Sequence, residues 1–112
     1  MSEHLERIEE FTAAVKTQKC CFILSSDNGL LITESQFQTA RDVLLFWSDK
    51  EAAKQQAKDE WQNFNLIELD FEDTTDLLSH LSDDDMLVGI ELTDEQTAIE
   101  IEASALLTQL TE

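Results

Sequence analysis

The sequence predicts an α+β domain: a mixed or antiparallel sheet of about five or six strands, with three or four helices packed mainly on one face. Three observations point there. Apolar residues recur at helical spacing near the start, they alternate with acids in later segments, and turn-forming residues join strand-like runs into hairpins. With 112 residues, 42% of them hydrophobic, the chain has the apolar material for one core and is read as a single acidic domain over 1–112.

From about Glu3 to Thr17, Leu5, Ile8, Phe11, Ala14 and Val15 fall on one helical stripe, with Glu6, Glu9, Glu10 and Lys16 elsewhere on the wheel. This predicts an amphipathic helix. Cys20 to Ser25 and Leu30 to Glu34 are rich in strand formers, and the Asn28-Gly29 pair between them supplies the positive φ of a tight hairpin. Asp42 to Trp47 reads as a third, buried strand. Ser48-Asp49-Lys50-Glu51 has the form of a capping box, so a helix is expected to start under Ser48 and to run to about Trp61. Its Ala53, Ala57 and Trp61 share a stripe suited to close packing on a sheet. In the fourth strand Ile67, Leu69 and Phe71 face one way, and Glu68, Asp70 and Glu72 the other. A helix starting within Asp73 to Asp76 would bury Leu77, Leu78 and Leu81 and end at Ser82 to Asp85. Met86 to Leu92 and Thr97 to Glu102 form a second hairpin with Val88, Ile90, Ile99 and Ile101 inward, and Leu106, Leu107 and Leu110 mark a closing helix.

Charge is unevenly spread. The net charge is −18, yet all seven Lys and Arg precede residue 59, where nine acids leave a balance of only −2. From Asp59 onward there are sixteen acids and no Lys or Arg. Direct nucleic-acid binding is excluded on this balance, as is an anionic membrane surface, because both need concentrated positive charge. No apolar run is long enough to span a bilayer, and the acidic opening residues lack the form of a signal peptide, so a cytoplasmic location is expected.

If the fourth strand and the last hairpin share a sheet, Glu68, Asp70, Glu91, Glu100 and Glu102 project from one side. Unrelieved like charges on neighbouring strands are destabilising, so a basic protein partner is the expected complement. A solvated acidic face is the plain alternative. Lys50, Lys54 and Lys58 form a helical stripe that either pairs locally, as Glu51 with Lys54, or meets the acids of a second copy.

Other chemistry finds little support. Asp83-Asp84-Asp85 lacks the alternate spacing, central glycine and terminal glutamate of a calcium loop. His4 and His80 have no companion ligands, and no phosphate loop or nucleophile motif is present. No cofactor or metal site is expected. Adjacent Cys20 and Cys21 point to opposite faces of an extended segment, which predicts one buried and one partly exposed free thiol. Trp47 and Trp61 bracket the capped helix and are expected to pack at the sheet edge, the alternative being an aromatic anchor for a partner.

The string Leu45-Phe46-Trp47-Ser48-Asp49-Lys50-Glu51-Ala52-Ala53, followed by Asp59-Glu60-Trp61, Ile67-Glu68-Leu69 and Asp85-Met86-Leu87-Val88-Gly89-Ile90, resembles a small bacterial family known only as a domain of unknown function, number twenty-seven fifty. The resemblance covers about Leu5 to Leu110. It departs from the family pattern in lacking a proline beside the first tryptophan, and in having Thr93 to Gln96 where relatives place Gly or Pro. The resemblance implies the same fold and brings no residue of known role. The functional expectation is a non-catalytic interaction module, regulatory or immunity-type, whose acidic C-terminal half binds a basic partner. The alternatives are a divalent-metal-dependent hydrolase using clustered carboxylates and an acidic structural protein with no dedicated partner.

Overall fold

A computed structural model describes residues 2–27, 29–35, 41–58, 61–93 and 98–111, with side chains from residue 6 onward. Helix α1 (Ser2–Gln18) buries Ile8, Phe11 and Val15 and exposes Glu6, Glu9 and Glu10, as its apolar stripe requires. It stops at Lys19, which takes a left-handed φ of 65° and donates its N–H to the Val15 carbonyl at 2.8 Å, closing the last turn.

Strand β1 (Cys20–Ser26) turns back into β2 (Gly29–Leu30), with Gly29 at φ 116° after the Asn-Gly signal; Asn28 itself lies outside the described residues. The second arm of this hairpin is not one strand. After Leu31 the chain re-forms as β3 (Ile32–Glu34), which pairs with β4 (Asp42–Phe46) instead of β1. Leu31 is the pivot: its N–H bonds the Leu24 carbonyl at 2.9 Å, and its side chain is buried.

β4 runs parallel to β6 (Leu87–Ile90), which pairs antiparallel with β7 (Ile99–Glu102). The unbroken apolar run Val43 to Trp47 follows from this, because β4 is buried on both faces. Between β4 and β6 lie α2 (Lys50–Gln56), β5 (Asn65–Asp70) and α3 (Phe71–Asp83); α4 (Ala103–Thr111) closes the chain.

Three boundaries differ from the sequence reading. Asp49, not Ser48, caps α2, accepting the Ala52 N–H at 3.1 Å, because the Ser48 hydroxyl is spent on Glu91. α2 also ends at Gln56, short of Trp61; a tighter turn then brings Trp61 and Phe64 onto apolar neighbours. Finally, α3 starts at Phe71, directly after β5, because Asp70, the last residue of the strand, is also its N-cap, keeping an extended backbone while its side chain accepts the Asp73 N–H at 2.7 Å. At its far end Asp85 (φ 57°) bonds the Ser82 carbonyl and Met86 that of Leu81, a Schellman arrangement.

The seven strands form two sheets, ordered β2-β1-β5 and β3-β4-β6-β7. An antiparallel bridge between Phe22 and Trp47, with N–H···O distances of 2.8 and 2.9 Å, joins them. One face of this β-layer carries a core built with α1, α3 and α4 around Phe11, Ile23, Phe46, Leu78 and Leu106. The other carries a smaller core under α2, around Phe22, Leu45, Trp47 and Leu87, with Trp61 and Phe64 against it. The fold is thus α+β with its helices mainly on one face. No helix among the described residues is long and apolar enough to cross a membrane.

Candidate functional site

The acids singled out from the sequence fall into three places. Paired residues share a face of the β-layer, so Glu68 (opposite Phe22), Glu100 (opposite Gly89) and Glu102 (opposite Leu87) lie on the side of the smaller core. They do not share a sheet. β5 belongs to the three-stranded sheet and β7 to the four-stranded one, each as an outer strand, with β1, β4 and β6 between them. Four inter-strand spacings separate them by roughly 20 Å, so the five carboxylates cannot form the single patch expected.

The first place is the foot of β4 and β7. Arg41 grips Glu102 with both ends of its guanidinium, Nη1 to Oε2 at 2.6 Å and Nη2 to Oε1 at 3.0 Å. The same Nη2 donates to the Asp85 carbonyl at 2.6 Å and lies 3.4 Å from the Asp85 carboxylate. The Arg41 hydrogen bonds hold the Glu102 carboxyl below the usual carboxylate range, against a smaller opposing effect of burial. The acid in turn raises the guanidinium above its own ordinary value. Beside them the Ser35 hydroxyl donates to Glu100. These contacts follow from the row Val43, Leu87, Glu102 set by the parallel β4–β6 register, which no local sequence pattern announces.

The second place is the opposite end of the parallel pair. Glu91 holds a left-handed backbone (φ 59°), a conformation that costs a non-glycine residue on the order of 1–3 kcal/mol. The surroundings fix it there. Its carboxylate accepts the Ser48 N–H at 2.7 Å and the Ser48 hydroxyl at 2.9 Å, its own N–H bonds the Phe46 carbonyl, and Arg7 donates to its carbonyl at 3.1 Å. Gln18 ties the Ser48 and Cys20 carbonyls together, and the fully buried Trp47 donates its indole N–H to the Leu92 carbonyl at 2.7 Å. Glu91 therefore works as a knot between α1, β4 and β6.

The third place is the corner where β5 runs into α3. Glu68 is exposed, Asp70 is exposed while capping α3, and Glu72 and Asp73 stand exposed on the first helical turn. Their position near the positive end of α3 favours the carboxylates electrostatically. Lys19 lies over the Phe71 ring at 5.7 Å. Half-buried Cys20 is the register partner of Asp70, and burial, then the Glu68 charge, raises its thiol pKa. Cys21 is fully buried, and burial pushes its thiol up to about 12 despite a contact with the Thr74 hydroxyl at 3.2 Å. Neither thiol is activated for nucleophilic attack at neutral pH.

On the smaller-core side a groove of about 170 Å³ is lined by Val43, Leu45 and Trp61 together with Glu34 and Glu100. Of the lysine stripe, Lys54 pairs with Glu51 at 3.8 Å, and α2 ends before Lys58. Asp85 of the triple-aspartate run faces Arg41, and no group of three or more His, Cys, Asp or Glu among the described residues is arranged to hold a metal ion.

No curated protein matches the chain significantly. A family model does match, over residues 8–110, and the chain therefore belongs to the family described as protein of unknown function (DUF2750).

Proposed function

We propose that this domain is a non-catalytic protein-interaction module of the cytoplasm whose acidic C-terminal half binds a basic partner, with the β5–α3 corner as the contact. The observation that carries this reading is the contrast in what surrounds the acids. Among the described residues Asp85 and Glu102 pair with Arg41 and Glu51 with Lys54, whereas Glu68, Asp70, Glu72 and Asp73 stand exposed at one corner, where the cation alongside, Lys19, lies over the Phe71 ring. A cationic surface placed there gains attraction without displacing an internal ion pair. Charge of this kind acts mainly on encounter rate and selectivity, and salt weakens it over a screening length of about 8–10 Å.

Calorimetric titration with a short lysine-rich peptide tests the reading. Affinity is expected to fall as salt rises, to drop in Glu68→Gln/Glu72→Gln, and to persist in Glu102→Gln. Salt-independent binding, or equal loss in both variants, would contradict it.

A further inference from the structure

We infer that the corner takes its partner by strand addition: an extended segment of a basic protein, alternating Lys or Arg with aliphatic residues, hydrogen-bonds along the outer edge of β5. This rests on the basic-partner reading and adds the geometry of contact. All six residues of β5 register against β1, and the order β2-β1-β5 puts no described strand on the other side. An edge of this kind ordinarily carries a guard, such as a proline, a bulge, a covering element or charged side chains, lysine above all, and the guard in β5 is acidic. β5 has no Pro, Lys or Arg, and its pairing runs from Asn65 to Asp70 without a bulge. Its only charges are Glu68 and Asp70.

Those charges discriminate between occupants. Against a second copy, in a molecule of net charge −18, they repel; against a cationic strand they attract. The two faces of β5 also differ. Leu66, Glu68 and Asp70 lie on the smaller-core side, whereas Ile67 and Leu69 lie on the other, half-buried against the main core. An added strand with aliphatic residues beside Ile67 and Leu69 extends that core, while its cations on the opposite face meet Glu68 and Asp70, with Glu72 and Asp73 just past the strand end. Backbone bonds then supply the affinity and the alternating side chains the selection, as in other strand-addition complexes.

The test uses the whole domain and a capped peptide of about six residues, long enough to pair along β5, alternating lysine and valine. Two further copies carry backbone N-methyl groups on odd or on even residues. Successive residues of a strand aim their N–H groups at opposite edges, so one methylated copy is expected to lose affinity on the order of tenfold or more while the other binds like the parent. Equal behaviour of the two copies, with the parent still binding in a salt-dependent way, overturns strand addition and leaves the basic-partner reading standing. Absence of salt-dependent binding by the parent overturns both. A peptide-free dimer paired through β5, seen as a doubled mass in light scattering, overturns the assignment of the occupant.

Discussion

Both outer strands alternate aliphatic residues with acids, Leu66 to Asp70 in β5 and Ile99 to Glu102 in β7, and both turn those acids toward the smaller core. Their surroundings differ completely. At β7, Glu102 is clasped by Arg41 and Glu100 receives the Ser35 hydroxyl, so the charge is consumed in holding the foot of the four-stranded sheet. At β5, Glu68 stands in solvent and Asp70 serves only the start of the next helix. Alternation fixes which face a residue takes, and nothing more. Whether an acid is structural or available depends on what the chain brings alongside it from far away in sequence.

This contrast can be broken or sharpened by substitution. The largest effect is expected at Gly89, the partner of Glu100 in the ladder. A Cβ there would stand 2.8 Å from Leu45 Cδ2 and 2.9 Å from Val43 Cγ1, so Gly89→Ala overpacks β6 against the β4 side chains of the four-stranded sheet and should cost about 1–3 kcal/mol in denaturant unfolding. Next comes Asp70→Ala, which removes the α3 cap and should cost about 1 kcal/mol by the same measurement. Glu102→Gln should cost less, up to about 1 kcal/mol after allowance for solvent screening of a half-exposed pair. Glu68→Gln should be smallest, within about 0.5 kcal/mol, because its carboxylate is exposed and enters no ion pair among the described residues.

The pH dependence separates the two strands further. Arg41 depresses the Glu102 pKa in the folded protein below its unfolded value. The stability it contributes is therefore fully present above the ordinary glutamate range, near about pH 4.3, and lost as pH falls through the lower folded value. Unfolding midpoints followed down through that window should show a loss that Arg41→Met largely removes. An unchanged acid limb in Arg41→Met would mean that the Arg41–Glu102 clasp is not what distinguishes β7.

What was legible in the sequence is local chemistry. The α1 stripe, the turn glycine Gly29 at the start of β2, the buried run at β4 and the alternation in β7 each report on neighbours a few residues away, and each corresponds to an element of the fold. What escaped is decided at long range. Leu31 splits an apparently continuous strand because its N–H bonds β1 and its side chain is buried in the smaller core, while Ile32 to Glu34 follow β4. Ser48 and Asp49 are both competent caps, and Glu91, far along the chain, settles the choice by taking Ser48. Asp70 satisfies the alternation of β5 and the capping of α3 at once, and the alternation alone does not reveal the second role. For the candidate site, Glu68 and Asp70 were named from their own strand and stand at an open edge. Glu91 and Glu102 follow the same logic, yet these part-exposed acids are tied into the fold by Ser48, Arg7 and Arg41, none of which is adjacent to them in sequence.

The most direct measurement is a map of backbone amide shifts as a lysine–valine peptide is titrated into the isotopically labelled domain at low salt. Changes concentrated on Asn65 to Asp70 and the first turn of α3, fading as salt is added, are the predicted result. Changes centred on Ile99 to Glu102, or spread thinly over every acidic segment, would contradict the division of labour between β5 and β7.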